Sequence, residues 1–205
     1  MSIGVVTVAS DLYAENLPAW AESVRALNTQ PDQIVIACQT VPVDLDLDCT
    51  IVLIPADEPW DFATWWNRAI AACDTDWVAW CGVDDTYRPH AMDSIERNDA
   101  DVVGLGFQYD TGQTWIPQAD NAAIRAVEGN LIPCGSPFRK SLWQRMPIPQ
   151  GFGPLADWAF WVGLAFINAR FASTGRIDVD YSFAGHINPP IEPTRTQIRD
   201  WVQSL

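Results

Sequence analysis

Over the first hundred residues, short continuous apolar runs alternate with longer stretches in which apolar residues recur every three or four positions. The short runs are residues 4–9 (GVVTVA), 33–38 (QIVIAC), 49–54 (CTIVLI) and 77–81 (WVAWC), the pattern of strands buried on both faces. Between them, Leu17, Trp20, Ala21, Val24 and Leu27 share one helical stripe, as do Trp65, Trp66, Ala69 and Ile70 within residues 62–73. Pro31-Asp32 stops the first helix, and Pro55 ends the third strand. Strand and helix in alternation predict right-handed crossovers and a parallel sheet covered on both faces. Ligands of such sheets lie off the carboxyl ends of the strands. Ser10-Asp11, Cys38-Gln39 and the segment GVDDTYRPH follow the first, second and fourth strands.

The second half is patterned differently. Residues 101–109 read as a strand, and Asp110-Thr111-Gly112-Gln113 as a hairpin turn into residues 114–116. Residues 131–133, 171–173 and 177–181 are further short strand candidates, residues 140–145 give one or two helical turns, and residues 156–168 form a strongly apolar helix after GFGPL. A polar helix over residues 194–205 closes the chain. No repeat or linker interrupts this order. The expected architecture is one α/β domain over residues 1–205, a Rossmann-like, mostly parallel sheet flanked by helices, with antiparallel additions in the C-terminal half.

Composition narrows the partners. With 48% hydrophobic and 19% charged residues the chain is globular in character, but its formal net charge of -14 opposes a grip on a nucleic-acid backbone, which needs a positive stripe. A negatively charged small ligand would have to be neutralised locally by a few placed Arg or Lys residues, or by a divalent cation. The five cysteines are scattered and lack CxxC spacing, which fits reduced core residues and a cytoplasmic protein. The N-terminus has no basic leader, and the longest apolar run, residues 158–167, is too short to cross a bilayer about 30 Å thick.

Asp84-Asp85 is the first candidate chemical centre. Adjacent carboxylates after an apolar strand repel each other and lose solvation, so they need exposure or a compensating cation, for which hard oxygen ligands suit Mg²⁺ or Mn²⁺. The residues alone equally allow a solvated turn, or Asp85 as a cap to a helix near Arg88-Pro89.

The ordered set of motifs resembles the inverting family-2 glycosyltransferases of the GT-A fold. The stretch WWNRAIAACDTDWVAWCGVDDTYRPHAMD is similar to that family's Asn-bearing helix (Asn67), strand, acidic motif (Asp84-Asp85) and proline-led helix (Pro89). NLIPCGSPFRKSLW followed by GFGPLADWAFWVGL resembles the acceptor region, with Asp157 in the catalytic-base position, and FAGHINPP resembles a metal-binding element through His186. The likeness runs from Gly4 to about Pro190. Three positions depart from the family pattern: Gly82 replaces the first acid of Asp-x-Asp, Cys38-Gln39 replaces the acid after strand two, and Ala156 replaces the frequent first acid of the later helix.

That resemblance implies a nucleotide-sugar-binding half over residues 1–100, an acceptor-side half over 101–190 and a C-terminal helix over 191–205. The implied cofactor is Mn²⁺ or Mg²⁺, held by Asp85 and His186, and the implied donor a UDP-sugar, the acceptor being undefined. Ser10, Asp11, Gln39, Asn67, Asp84 and Arg139 are the implied donor contacts, and Asp157 the implied general base; Asp157 also fits a helix N-cap, and His186 an ordinary loop histidine. Arg139 and Lys140 are candidates to meet diphosphate charge or to form surface pairs. Eleven tryptophans exceed the needs of such a core, and Trp115, Trp143 and Trp158 are candidate stacking surfaces. The competing readings are a non-catalytic nucleotide-sugar or glycan-binding protein on the same fold and, more remotely, a nucleotidyltransferase, whose Gly-rich basic loop SDLYAENL lacks. GxGxxG, the mark of a dinucleotide-dependent oxidoreductase, is absent after strand one.

Overall fold

A computed structural model describes residues 1–42, 45–95, 99–182 and 191–205. The first half follows the alternation. Strands β1 (Ile3–Ala9), β2 (Gln33–Cys38), β3 (Thr50–Leu53) and β4 (Trp77–Trp80) form a parallel block in the order β3-β2-β1-β4. Helices α1 (Leu17–Arg25) and α2 (Phe62–Ala71) make crossovers between them, and the Asp61 carboxylate caps α2 by accepting from the Thr64 amide at 2.8 Å.

Beyond β4 the sheet continues through β8 (Phe138–Arg139), β6 (Val102–Tyr109), β9 (Phe171–Tyr181) and β5 (Thr86–Tyr87), while β7 (Thr114–Trp115) folds back on β6. β8 is antiparallel to both β4 and β6, so those two strands run the same way, and β9 lies parallel to β6. The consequence is directional. The carboxyl ends of β1, β2, β4, β6 and β9 all face one edge of the sheet. A bulge at Gly104–Gly106 bends the β6/β9 pair; a Cβ at Gly106 would stand 2.2 Å from the Arg176 carbonyl, so only glycine fits that approach.

Two apolar layers clamp the sheet. On one face Trp80 is the hub, with Trp66, Trp161, Phe160 and Phe138 ring centres 5.1, 5.4, 5.8 and 5.9 Å away. Helix α5 (Ala156–Phe166), buried almost throughout its length, supplies Trp158, Phe160 and Trp161 to that layer. The opposite layer gathers Trp20 and Val24 of α1 with Ile36, Trp77 and Leu105. Trp20, Trp65, Trp66, Trp77, Trp80, Trp158 and Trp161 are all at most 2% exposed, so packing absorbs most of the eleven tryptophans.

Several local expectations need correction. Residues 131–133 form no strand, residues 171–181 form one strand where two were expected, and turns follow Pro89 where a proline-led helix was expected. The two-residue strands β5 and β8 and the short helix α3 (Asn121–Arg125) carry no periodic signal in the sequence. Residues 140–145 do form a helix, α4 (Lys140–Arg145), and α6 (Ile191–Val202) starts three residues earlier than the pattern suggests. No described helix is long and apolar enough to cross a membrane, and all five cysteines are unbridged.

Candidate active site

At the end of β4 the chain turns through Gly82-Val83-Asp84-Asp85, closed by a bond from the Asp85 amide to the Gly82 carbonyl at 3.1 Å, and then enters β5. Because β5 pairs with the end of β9, the backbone amide of Ser182 donates to Asp85 Oδ1 at 2.9 Å. Asp85 is buried. Its burial and the neighbouring charge of Asp84 push its carboxyl well above the usual range, with the Ser182 bond acting the other way. Among the two sequence readings, the exposed turn and the helix cap both fail for Asp85.

Gly82 explains how the second carboxylate is accommodated. A Cβ placed there would lie 2.6 Å from Asp84 Oδ1 and 3.1 Å from Asp85 Oδ2, so both side chains curl toward the space that a side chain at position 82 would fill. Two carboxylate oxygens thus converge on one small region. Among the described residues no group of three or more metal-ligating side chains occurs, and His186 lies outside the described residues.

Asp157 enters from another direction. A 3₁₀ turn over Gly153–Leu155 leads into α5, whose N-cap is Leu155, so Asp157 sits in the helix's first turn and is not its cap. There its carboxylate accepts from Asn130 Nδ2 at 2.8 Å and from the Trp158 backbone amide. Burial outweighs these bonds and pushes its pKa up to about 6. Asn130 carries no signal in the sequence, because an asparagine in a loop has neither periodicity nor a motif to mark it.

Asp157 and Asp84 line two pockets that share Tyr109 and Tyr181. A cavity of about 520 Å³ is lined by Asp157, Asn130, Cys134 and the aromatic side chains of Phe107, Tyr109, Trp115 and Tyr181. A neighbouring recess of about 370 Å³ shares Tyr109 and Tyr181 and includes Asp84, Asp110 and Ser182. Burial first, then the charges of Asp157, Asp85 and Asp84 acting together, push the Cys134 thiol well above its usual value, and the Tyr181 phenol is raised by burial and the same three carboxylates. Both side chains therefore lie near all three carboxylates.

Ser10, half-buried, and Asp11, exposed, follow β1, and half-buried Gln39 follows β2, with its Nε2 3.4 Å from the Ala56 carbonyl. These three share the carboxyl edge with Asp84 and Asp85 because β2, β1 and β4 are adjacent and parallel.

Two expected donor contacts go elsewhere. Asn67 sits mid-α2, where its Oδ1 accepts from Trp143 Nε1 at 2.7 Å and the Ile148 amide at 3.0 Å, and its Nδ2 donates to the Ile148 carbonyl at 2.9 Å. The amide is committed at both ends to the protein, tying the loop after α4 to α2, and Trp143 is engaged with it. Arg139 pairs across from Trp77, the first residue of β4, and so lies at the amino edge, opposite the acidic turn. There its guanidinium sits 4.8 Å over the Trp77 ring and 3.3 Å from Asp101. Lys140 is buried nearby, on the Cys73 carbonyl and 3.5 Å from Asp74. Of the three candidate stacking tryptophans only Trp115 lines the cleft; Trp158 is core.

A parallel sheet with an acidic turn at its carboxyl edge, extended by a mixed half that carries a buried carboxylate, defines a Rossmann-like α/β architecture. More narrowly, the chain has the GT-A glycosyltransferase fold. Staphylococcus aureus TarS in complex with UDP-GlcNAc superposes with a TM-score of 0.72 at 12% identity, over all of this chain and 66% of that one. TarS 1-349 gives 0.69 at 14% identity over 89% of this chain and 60% of that one. The mannosyltransferase from Pyrobaculum calidifontis, in complex with GDP-Man and Mn²⁺, gives 0.63 at 10% identity over 90% of this chain and 58% of its own. This chain therefore spans about 60% of the TarS 1-349 and mannosyltransferase chains, and 39% of the longer TarS chain. No family model and no curated protein sequence matches it.

Proposed function

We propose that the protein is a metal-dependent, inverting glycosyltransferase that moves a sugar from a nucleotide-sugar, a UDP-sugar in the first instance, to an acceptor hydroxyl. The observation that carries this reading is Asp157: a buried carboxylate with its pKa raised to about 6, facing a cavity that shares Tyr109 and Tyr181 with the recess at Asp84. A base poised near neutrality removes a hydroxyl proton more effectively than an ordinary exposed aspartate. In the proposed step the acceptor oxygen attacks the anomeric carbon, its proton passes to Asp157, and the bond from that carbon to the diphosphate oxygen breaks on the opposite face. The nucleoside diphosphate leaves, and the anomeric configuration inverts.

The acidic turn fits a divalent cation. Asp85 is a buried carboxylate with only a backbone amide opposite it among its described contacts, and Asp84 turns an oxygen toward the same region. Mn²⁺ or Mg²⁺ held by Asp85 would supply charge neutralisation of the diphosphate leaving group. Asp84 then contacts the ribose or the cation's water shell, and Ser10, Asp11 and Gln39 meet the nucleoside from the ends of β1 and β2. TarS bound to UDP-GlcNAc and the mannosyltransferase bound to GDP-Man and Mn²⁺ support a nucleotide-sugar donor and a divalent cation, each at low identity.

A thermal-shift panel of UDP-, GDP- and dTDP-sugars, with and without Mn²⁺, tests the reading, followed by donor hydrolysis in wild type and Asp157→Ala. A Mn²⁺-dependent shift for one nucleotide class, with hydrolysis lost in the variant, is expected. Tight binding without turnover of any donor would instead leave a binding protein on this fold.

A further inference from the structure

The cleft at Asp157 has one wall of a different character from the acidic turn. Phe107 is its centre: the rings of Tyr109, Tyr181 and Trp115 lie 4.9, 5.0 and 5.2 Å from it, and Tyr109 and Tyr181 are 5.6 Å apart, edge to face. Strand register builds this wall. Trp115 pairs opposite Phe107 across the β6/β7 hairpin, and Tyr181 stands opposite Tyr109 across β6/β9. Phe107 is nearly buried, whereas Tyr109, Trp115 and Tyr181 are half-buried and line the cavity. Gln113 and Thr114 of the hairpin and Asn130 opposite add neutral hydrogen-bonding groups to the same space.

Charge sets the second constraint. Among the described residues the cavity lining holds no Arg, Lys or His, and its one charged group is Asp157. The adjoining recess carries Asp84, Asp110 and Asp180, of which Asp180 is neutralised by Arg88 at 2.6 Å. An anionic ligand in the cavity itself would meet the charge of Asp157 with no cationic side chain among the described lining residues to answer it. A neutral ring with an apolar face and a hydroxyl-bearing edge suits the site instead: its C–H face covers the electron-rich aromatic faces while its hydroxyls reach the neutral polar groups.

We propose that this aromatic wall is a docking platform for an uncharged pyranoside, and that Trp115 is a specificity-determining residue for it. That this pyranoside serves as the acceptor, presenting a hydroxyl to Asp157, rests on the transferase reading above. The sugar-transfer step is then the one already written: acceptor oxygen to anomeric carbon, proton to Asp157, nucleoside diphosphate released.

The test separates binding from turnover. Saturation-transfer NMR on the intact protein, without donor, uses methyl β-D-glucopyranoside, methyl β-D-galactopyranoside and methyl α-D-mannopyranoside, against glucuronate and glucose 6-phosphate as anionic counterparts. At least one neutral glycoside is expected to take up saturation, strongest on the ring protons of one face, with at least a five-fold loss in Trp115→Ala. Trp115→Leu keeps apolar bulk without an aromatic face and is expected to lose the signal too; a melting curve for each variant shows that it is folded. Saturation of no neutral glycoside, saturation of the anionic sugars at equal strength, or a signal undiminished in both folded variants would overturn the platform. Donor turnover is read separately: neutral pyranosides that bind while no nucleotide-sugar shifts or hydrolyses would sustain the platform and sink the transferase reading. Where a donor is turned over, Trp115→Ala is expected to raise the acceptor KM about ten-fold more than the donor KM, and the reverse split would reassign the wall to the donor sugar.

Discussion

Asn130 Nδ2 donates to Asp157 Oδ2 at 2.8 Å, and this bond orients the carboxylate at the mouth of α5. An ionised carboxylate only accepts, so the amide favours the charged form and holds the pKa below where burial alone would put it. Asn130→Ala removes that support. The acid limb of the kcat/KM profile is expected to move up by about one pH unit, since a bond to a charged group contributes roughly 1.5–3 kcal/mol and one unit is about 1.4 kcal/mol. Activity is expected to fall about two-fold at pH 7 and nearly ten-fold at pH 5, with the donor KM held. A flat change at every pH, with no displaced limb, would show that Asn130 acts only on structure.

The raised pKa of Asp157 also has a stability signature. Its folded-state value, about 6, exceeds the ordinary aspartate value of 3.8, so the folded protein binds this proton more tightly than the unfolded chain does. Ionised Asp157 therefore costs stability above pH 6, and the cost disappears as pH falls from 6 to about 4. Asp157→Asn is expected to be inactive yet more stable than wild type at pH 7.5, by about 2–3 kcal/mol from the size of the shift, with the two converging near pH 4. Denaturant melts at the two pH values check this, and the pH–rate profile of wild type is expected to lose activity as pH drops through 6.

What the sequence made legible follows from where periodicity survives. β1, β2, β4 and the helices α1 and α2 are read directly because their apolar residues face layers that cover them fully, and Ser10, Gln39 and Asp84 inherit their edge from those strands. β8 is two residues long and carries no pattern, yet it reverses direction between β4 and β6 and so sends Arg139 to the amino edge. Asn67 kept its motif position, but a helix position says nothing of a partner 81 residues away such as Ile148. The aromatic wall was equally hidden, since Tyr181 meets Tyr109 only through a bulged long-range pairing.

Arg139 is expected to matter for stability alone. Its side chain is 39% exposed, so its pair with Asp101 is screened, and stacking on Trp77 adds a contribution of roughly 0.5–1 kcal/mol. Arg139→Ala is expected to lower the Tm by about 2–4 °C. The thermal shift given by the nucleotide-sugar should match that of wild type. A shift reduced ten-fold or more in ligand concentration would return Arg139 to the donor site.

Gly82 makes the sharpest claim about the acidic turn. The resemblance places an acid there, and restoring it as Gly82→Asp would be expected to strengthen a metal site if the position were simply vacant. The geometry predicts the opposite. A Cβ 2.6 Å from Asp84 Oδ1 and 3.1 Å from Asp85 Oδ2 forces at least the Asp84 side chain to swing away, and a third carboxylate adds repulsion to a pair already desolvated at Asp85. Gly82→Ala separates the two effects, since it brings the crowding without the charge. Both variants are expected to need about ten-fold more Mn²⁺ for the metal-dependent thermal shift, Gly82→Asp at least as much as Gly82→Ala, while Asp85→Asn abolishes the shift. Asp84→Asn is expected to retain part of it. A Gly82→Asp protein that binds Mn²⁺ more tightly than wild type would mean that the turn reopens to accept the acid, and that Asp84 does not occupy its place.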